Sequence, residues 1–263
     1  MLGRTRGSGR AAKAPAVPKG KRIYAIGDIH GELQLLEDLI AQISADLLAD
    51  PVLHAQFIFL GDYIDRGPQS SDVLAFMAEM NGESEVVCLR GNHEQILLNF
   101  LDDPSVLDGW RLHGGLETLQ SYGVQTDQAK AGHGYVEARD ALLRRLPQSH
   151  IDFLESTRYS FTVGDYFFCH AGIDPQAPLS KQKPQDLMWI RQQFFAQQSR
   201  FEKMIVHGHT RVRAPDIRPN RINIDTGAYD TGILTCLVLE GQKMRFLSTA
   251  PAALRAASLN MSA

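Results

Sequence analysis

Five short apolar runs in this 263-residue chain each end in a cluster of glycine and ligand-type residues. That repeated punctuation narrows the possible folds more than any other feature. Ile23 to Ile26 leads into Gly-Asp-Ile-His-Gly at 27–31, and Phe57 to Leu60 into Gly-Asp-Tyr-Ile-Asp-Arg-Gly at 61–67. Val86 to Leu89 runs into Arg-Gly-Asn-His-Glu at 90–94, Tyr166 to Cys169 precedes His-Ala-Gly at 170–172, and Met204 to Val206 precedes His-Gly-His-Thr at 207–210. Short apolar runs bounded by turn formers read as buried strands. The first three are each followed by a helical pattern: Leu36, Leu39, Ile40 and Ile43; Val73, Phe76, Met77 and Met80; and, more weakly, Ile96, Leu97 and Phe100. Strand, loop and helix in repetition predict right-handed crossovers and a parallel core sheet. In such sheets ligands gather beyond the carboxyl ends of the strands, where these motifs lie.

The texture changes after residue 157. Tyr159 to Val163, Gly164-Asp165 and Tyr166 to Cys169 predict a hairpin. Further strand candidates are Ile222 to Ile224, Ile233 to Leu239 and Met244 to Leu247, with Gly241-Gln242 as a turn. They predict a second, more antiparallel sheet packed face to face on the first. The fold class expected is therefore α/β (α+β), a two-sheet β-sandwich flanked by helices. Residues 102–157 form a helical insertion, within a single catalytic domain over 22–250.

Composition sets the outer limits. With 44% apolar and 22% charged residues the chain can build a core, and no stretch approaches the roughly 18 apolar residues of a spanning helix. The net charge of −3 hides an asymmetry. Arg4, Arg6, Arg10, Lys13, Lys19, Lys21 and Arg22 give residues 1–22 a charge of +7, leaving 20 basic against 30 acidic residues elsewhere. Residues 1–21 read as a disordered basic tail and 251–263 as a flexible C-terminal one. An acidic body argues against nucleic-acid binding, and neither a signal segment nor a membrane partner is indicated. Cys88, Cys169 and Cys236 are odd in number and each lies in an apolar run, so free buried thiols and a cytoplasmic setting are expected.

The loop residues Asp28, His30, Asp62, Asn92, His170 and His207 or His209 form a mixed oxygen and nitrogen set suited to manganese, iron or zinc. They are too numerous for one ion with an open position but suit two, which share a carboxylate about 3.5–4 Å apart. The i, i+2 spacing of Asp28 and His30 puts both on one side of an extended segment. Arg66 offers a planar fork for phosphate oxygens. His93, beside Asn92, can protonate a leaving oxygen if a carboxylate orients it, and Asp65 is the candidate orienter.

Together, and in this order, the five motifs resemble the phosphoprotein phosphatase (PPP) family of calcineurin-like metallophosphoesterases. The likeness covers roughly residues 22–250 and is nearest to the small bacterial serine/threonine protein phosphatases. It implies a dinuclear centre, most often of manganese, in which Asp28 and His30 bind the first ion and Asp62 bridges. Asn92, His170 and His209 complete the second ion, His93 with Asp65 serves as general acid, and Arg66 grips the phosphate together with Asn92. The segment Asp186-Leu-Met-Trp-Ile-Arg191 resembles one that supplies a second phosphate-binding arginine, Arg191. The implied mechanism is direct in-line attack by a bridging hydroxide. His207 departs from the usual pattern; at i, i+2 from His209 it either faces the ions or lines the site, and the family match favours His209.

The resemblance implies a phosphorylated protein or peptide, or a small phosphorylated molecule, as substrate. A serine/threonine phosphatase is expected first because Asp65 is present and Glu94 follows His93. A diadenosine tetraphosphatase with the same dimetal centre is the alternative, and a phosphopeptide-binding module a third reading. Elsewhere, Trp110, His113, Leu116, Leu119 and Tyr122 read as core of the insertion, with a cleft lining as the alternative. His54, His133 and His150 read as surface, and Asp102-Asp103 as the end of a helix before Pro104. Asp225-Thr-Gly-Ala-Tyr-Asp-Thr-Gly232 reads equally as a border of the site or as a tight inter-strand loop.

Overall fold

A computed structural model describes residues 14–250 and contains two five-stranded sheets packed face to face, with helices on both outer surfaces. In the first sheet β1 (Lys21–Ile26) lies parallel to β2 (His54–Phe59), which lies parallel to β3 (Val86–Cys88). The predicted helices α1 (Leu33–Ala49), α2 (Ser70–Met80) and α3 (Asn92–Asp102) follow these strands in turn. Three parallel strands deliver their three motif loops to one edge.

Strand alternation builds two cores from one sequence. Ile23, Ala25, Ile58, Leu60 and Val87 point between the sheets, where they meet Phe168, Val206, Ile222 and Leu237. Tyr24, Ile26, Phe59 and Cys88 point the other way, onto Leu36, Leu39, Val73 and Met77 of the helices. The second sheet runs β4 (Ser160–Val163), β5 (Tyr166–Cys169), β6 (Met204–His207), β8 (Arg221–Asn223) and β7 (Asp216–Ile217). Its outer face, with Phe167, Cys169 and Ile205, is covered by Leu187 of α9 (Pro184–Trp189) and Phe194 of α10 (Gln192–Ala196).

Three expectations are corrected. The hairpin of β9 (Thr235–Glu240) and β10 (Lys243–Ser248) joins the first sheet, β9 pairing antiparallel with β1 from Arg22–Glu240 to Ile26–Cys236. Strand β9 is apolar on both faces, Cys236 and Val238 on one and Leu237 and Leu239 on the other, which suits a strand covered by helices on one side and the second sheet on the other. The second sheet is mixed, since β5, β6 and β8 are parallel. His150 is buried, because its Nδ1 lies 2.7 Å from the hydroxyl of Tyr122.

Of the expected basic tail, residues 14–20 belong to the fold. Val17 is buried in the inter-sheet core and its N–H donates to Gly241 O at 2.9 Å. Arg22 is buried among Asp46, Asp50 and Glu240. Residues 1–13 and the expected C-terminal tail 251–263 lie outside the described residues. Among those described, no helix is long and apolar enough to cross a membrane.

The insertion is built of short helices joined by turns: α4 (Leu107–Trp110), α5 (Gly115–Ser121), α6 (Asp127–Lys130), α7 (Tyr135–Leu143) and α8 (Gln148–Ser156). Trp110, Leu116, Leu119 and Tyr122 are buried in it as expected, whereas His113 is exposed. Asp102 ends α3, and the Asp103 carboxylate accepts from Ser105 N–H at 2.9 Å.

The three cysteines are free and buried, and burial pushes each thiol upward, Cys88 to about 12. A raised pKa leaves little thiolate at pH 8, and thiolate is the reactive form. Native protein should therefore give no rapid reaction with a thiol-titrating disulfide at pH 8, and three thiols after unfolding in guanidinium. A fast-reacting thiol in the native state would contradict this burial.

Candidate active site

Hydrogen bonds between motif loops assemble the site at the shared strand edge. Ile29 and His30 N–H both donate to Asp62 O, at 3.0 and 2.9 Å, tying the loop after β1 to that after β2. Gly208 N–H donates to His170 O at 2.8 Å, joining the loops after β6 and β5. His209 N–H then donates to Asp28 Oδ2 at 2.9 Å and ties the two sheets together. The loops are held in an unfavourable backbone region to do this. His30, Asp62, Asp65, Arg66 and His209 have φ between 49 and 73°, and they are the only non-glycine residues described with positive φ. Such conformations cost about 1–3 kcal/mol each and persist only where the surroundings over-determine them.

Glu94, absent from the sequence-based candidates, supplies part of that constraint. Its buried carboxylate accepts from the N–H groups of Asp62 at 2.9 Å, Tyr63 at 2.8 Å and Gly91 at 2.8 Å. One side chain therefore clamps the turn after β2 to the start of α3. Burial, with Asp62 nearby, lifts this carboxyl to about 7.

Asp62 stands at the centre. Its Oδ2 lies 3.5 Å from His30 Nε2 and 3.8 Å from His93 Nε2, while Oδ1 lies 3.3 Å from His170 Nε2. The candidate ligand atoms of His30, Asp62 and His93 all lie within 4.8 Å of one another, as do those of Asp62, His170 and His209. Asn92 Oδ1 is 3.0 Å from His170 Nε2, and His209 Nδ1 is 3.2 Å from the same nitrogen. Asp28, His30, Asp62, Asn92, His170 and His209 are thus brought to one place.

The electrostatics fit a cation there. Asp28 is buried with Oδ1 lacking any hydrogen-bond partner, and burial together with Asp225 pushes its carboxyl well above the usual range. Burial and the neighbouring His93 depress His30 to about 3, and burial and His170 depress His209 to about 2. Both rings are therefore neutral. Burial disfavours charge on His170 too, but Asp62 outweighs it and holds the ring near 10. His30 and His170 commit Nδ1–H to the carbonyls of Ile64 (2.8 Å) and Leu60 (3.0 Å). That turns each Nε2 to the centre, where neutral His30 already presents the ligand tautomer and His170 would give up its Nε2 proton to a bound cation.

His207 goes elsewhere. It ends β6 pointing away from the centre, its ring 5.0 Å from that of Phe194 and 5.8 Å from that of Phe195, and is absent from the ligand clusters. His209 is turned inward by its positive φ, so the simple i, i+2 alternation breaks at Gly208.

Around the rim, Arg66 stacks on the Tyr229 ring with 4.5 Å between guanidinium carbon and centroid, and donates to the Tyr229 hydroxyl. Tyr229 also lies edge-on to His30 at 5.3 Å. The 225–232 segment therefore borders the site, and Tyr229 is a residue the sequence left undecided. Arg191 Nε–H donates to His209 Nε2 at 3.0 Å, and the Trp189 ring lies 6.4 Å from that of His209. Asp65 accepts from His93 Nδ1–H at 2.5 Å, as the expected dyad requires.

A Cβ added at Gly208 would lie 2.0 Å from Asp28 Oδ1 and would force that carboxylate aside. Gly208→Ala should therefore take up less Mn²⁺ than wild type, measured by elemental analysis after equilibrium dialysis. Full uptake by the variant would contradict the placement of Asp28 at the centre.

The calcineurin-like phosphoesterase family model matches residues 21–232. An asymmetrical bis(5'-nucleosyl)-tetraphosphatase of Oceanobacillus iheyensis is 25% identical over 227 residues, covering 78% of this chain and 84% of that protein. The corresponding enzyme of Bacillus cereus strain Q1 is 28% identical, covering 81% and 88%. Among solved structures, a candidate diadenosine tetraphosphatase superposes with a TM-score of 0.62 at 18% identity, over 91% of this chain and 100% of that one. A cold-active protein-tyrosine phosphatase of a Shewanella species gives 0.55 at 15% identity, over 89% and 83%. At those identities the two structures establish the likeness of the fold.

Proposed function

The chain belongs to the calcineurin-like phosphoesterases, hydrolytic enzymes that work with divalent ions at a dinuclear site, and from that premise we propose that it cleaves dinucleoside tetraphosphates asymmetrically. Relatives named for this activity align over about four-fifths of both chains. That likeness moves the preference away from phosphoserine and phosphothreonine, the reading that Asp65 and Glu94 had favoured.

The observation at the site that carries the nucleotide reading is the pairing of Trp189 with Arg191. Trp189 is the only aromatic residue among the large exposed apolar side chains described, and it flanks His209. Arg191 reaches the same histidine from two residues on. An open ring for a base beside a guanidinium for phosphates suits a nucleotide whose polyphosphate runs into the centre.

In this assignment Asp28, His30 and Asp62 would hold one ion, and Asp62, Asn92, His170 and His209 the other. Bound there, the ions would supply Lewis acidity and lower the pKa of a bound water. Arg66, steadied by Tyr229, and Arg191 orient the phosphate being cleaved. His93, held through Nδ1 by Asp65, delivers a proton from Nε2 to the leaving oxygen.

A second reading rests on that same dyad. A phosphoanhydride leaves as a phosphate oxygen that needs little protonation, whereas a serine or threonine alkoxide needs a well-placed acid. The buried Asp65–His93 pair suits the harder leaving group, so a phosphothreonine peptide is the proper competitor substrate.

With Mn²⁺-loaded enzyme, diadenosine tetraphosphate should be converted to ATP and AMP with kcat/KM at least about tenfold above that for a phosphothreonine peptide. The reverse preference would overturn the nucleotide reading. Trp189→Ala should raise KM for the dinucleotide by roughly 5–150-fold, the loss of one base stack of about 1–3 kcal/mol. It should leave KM for inorganic tripolyphosphate, which has no base, unchanged. Equal effects on both substrates would remove Trp189 from base recognition.

A further inference from the structure

We propose that Trp110 and Thr118, both supplied by the helical insertion, are positioning residues for proton delivery by His93. The inference rests on the general-acid role assigned to His93 and is independent of which phosphate compound is the natural substrate.

Asp65 is wholly buried, and both its carboxylate oxygens are occupied. Thr118 Oγ1–H donates to Oδ1 at 2.5 Å, and Trp110 Nε1–H donates to Oδ2 at 2.6 Å. His93 Nδ1–H donates to that same Oδ2 at 2.5 Å. The Asp65 backbone N–H is also held, by Ser70 Oγ and Thr118 Oγ1, each at 3.0 Å.

The consequence follows from how freely an aspartate can move. Its terminal torsion is broad, so a carboxylate fixed at one oxygen can swing and carry its imidazole partner with it. Here one neutral donor from α4 and another from α5 fix the two oxygens separately. The carboxylate plane is then set before His93 bonds to it. Because the indole and the hydroxyl carry no charge, they leave the full negative charge of Asp65 to His93.

The donors themselves have little slack. A Cβ added at Gly115 would lie 2.4 Å from the Trp110 ring, and the Phe100 ring packs against the same indole with centroids 5.2 Å apart. With Nδ1 committed to Asp65, His93 Nε2 faces Asp62 Oδ2 at 3.8 Å. As the phosphorus–oxygen bond breaks, its electron pair goes to the leaving oxygen and takes the Nε2 proton. The electron pair of the N–H bond stays on His93, which ends neutral with its Nδ1–H still donating to Asp65.

Trp110→Phe removes the N–H and keeps an aromatic ring, Thr118→Val removes the hydroxyl at nearly constant shape, and Thr118→Ser restores it. Metal-loaded full-length variants would be assayed on p-nitrophenyl phosphate, whose leaving group departs unprotonated, and on phenyl phosphate, whose leaving group does not. Trp110→Phe and Thr118→Val should lower kcat on phenyl phosphate by about 10–10²-fold and on p-nitrophenyl phosphate by less than about threefold, part of the 10²–10⁴ a general acid provides. Thr118→Ser should recover the wild-type ratio. In parallel, ¹⁵N-edited NMR of the Zn²⁺-loaded protein should show the hydrogen-bonded Nδ1 proton of His93 in wild type, and its upfield shift or loss in both altered proteins. Equal losses on the two esters would make the residues merely structural. An unshifted Nδ1 proton in both variants would overturn the proposal whatever the substrate.

Discussion

The two oxygens of one buried carboxylate face two different sets of imidazoles, and the rest of the molecule is arranged to keep them there. Asp62 meets His30 through Oδ2 and His170 through Oδ1. A carboxylate so placed can serve two ions at once, and nothing else in the site belongs to both ligand clusters. Holding it requires a left-handed backbone at Asp62 itself, at φ 53°, pinned by Glu94 and by the loop after β1. The parallel strands β1, β2 and β3 matter chiefly because they bring those loops to one edge. The inter-sheet core matters because it fixes the second set of loops, with His170 and His209, against the first.

Much of this was legible in the sequence, since each ligand follows directly on a short apolar run. A strand end brings the residue that follows it to the shared edge, so the runs alone pointed to where the ligands gather. Pairing between distant strands was not legible in the same way. Strand β9 carries apolar residues on both faces and would satisfy either sheet by pattern, and only the open edge of β1 decides the matter. The choice between His207 and His209 likewise turns on a φ of 64° after Gly208, which spacing rules do not foresee. Residues that act through another residue were the least visible. Glu94, Trp110, Thr118 and Tyr229 look in sequence like any helix or loop residue, yet Glu94 holds Asp62 from 32 positions away, Trp110 and Thr118 hold Asp65 from 45 and 53, and Tyr229 packs on His30 from far along the chain.

The insertion thus has two duties. It buries its own core of Leu116, Leu119, Tyr122 and Phe153, and it reaches with Trp110 and Thr118 into the carboxylate that orients His93. The opposite rim, with Trp189 and Arg191, belongs to α9 and the turn after it. In the proposed assignment the strand-end loops would carry the centre, the insertion would tune the acid, and α9 would offer the surface on which a base stacks.

The central claim is that Asp62 joins two ion sites. Anomalous diffraction at the manganese edge from crystals grown with Mn²⁺ tests it most directly. The account predicts two separate peaks, one beside Asp28 and His30 and one beside Asn92, His170 and His209, with Asp62 between them and His207 beside neither. A single peak, or a pair in which Asp62 touches only one, would contradict it.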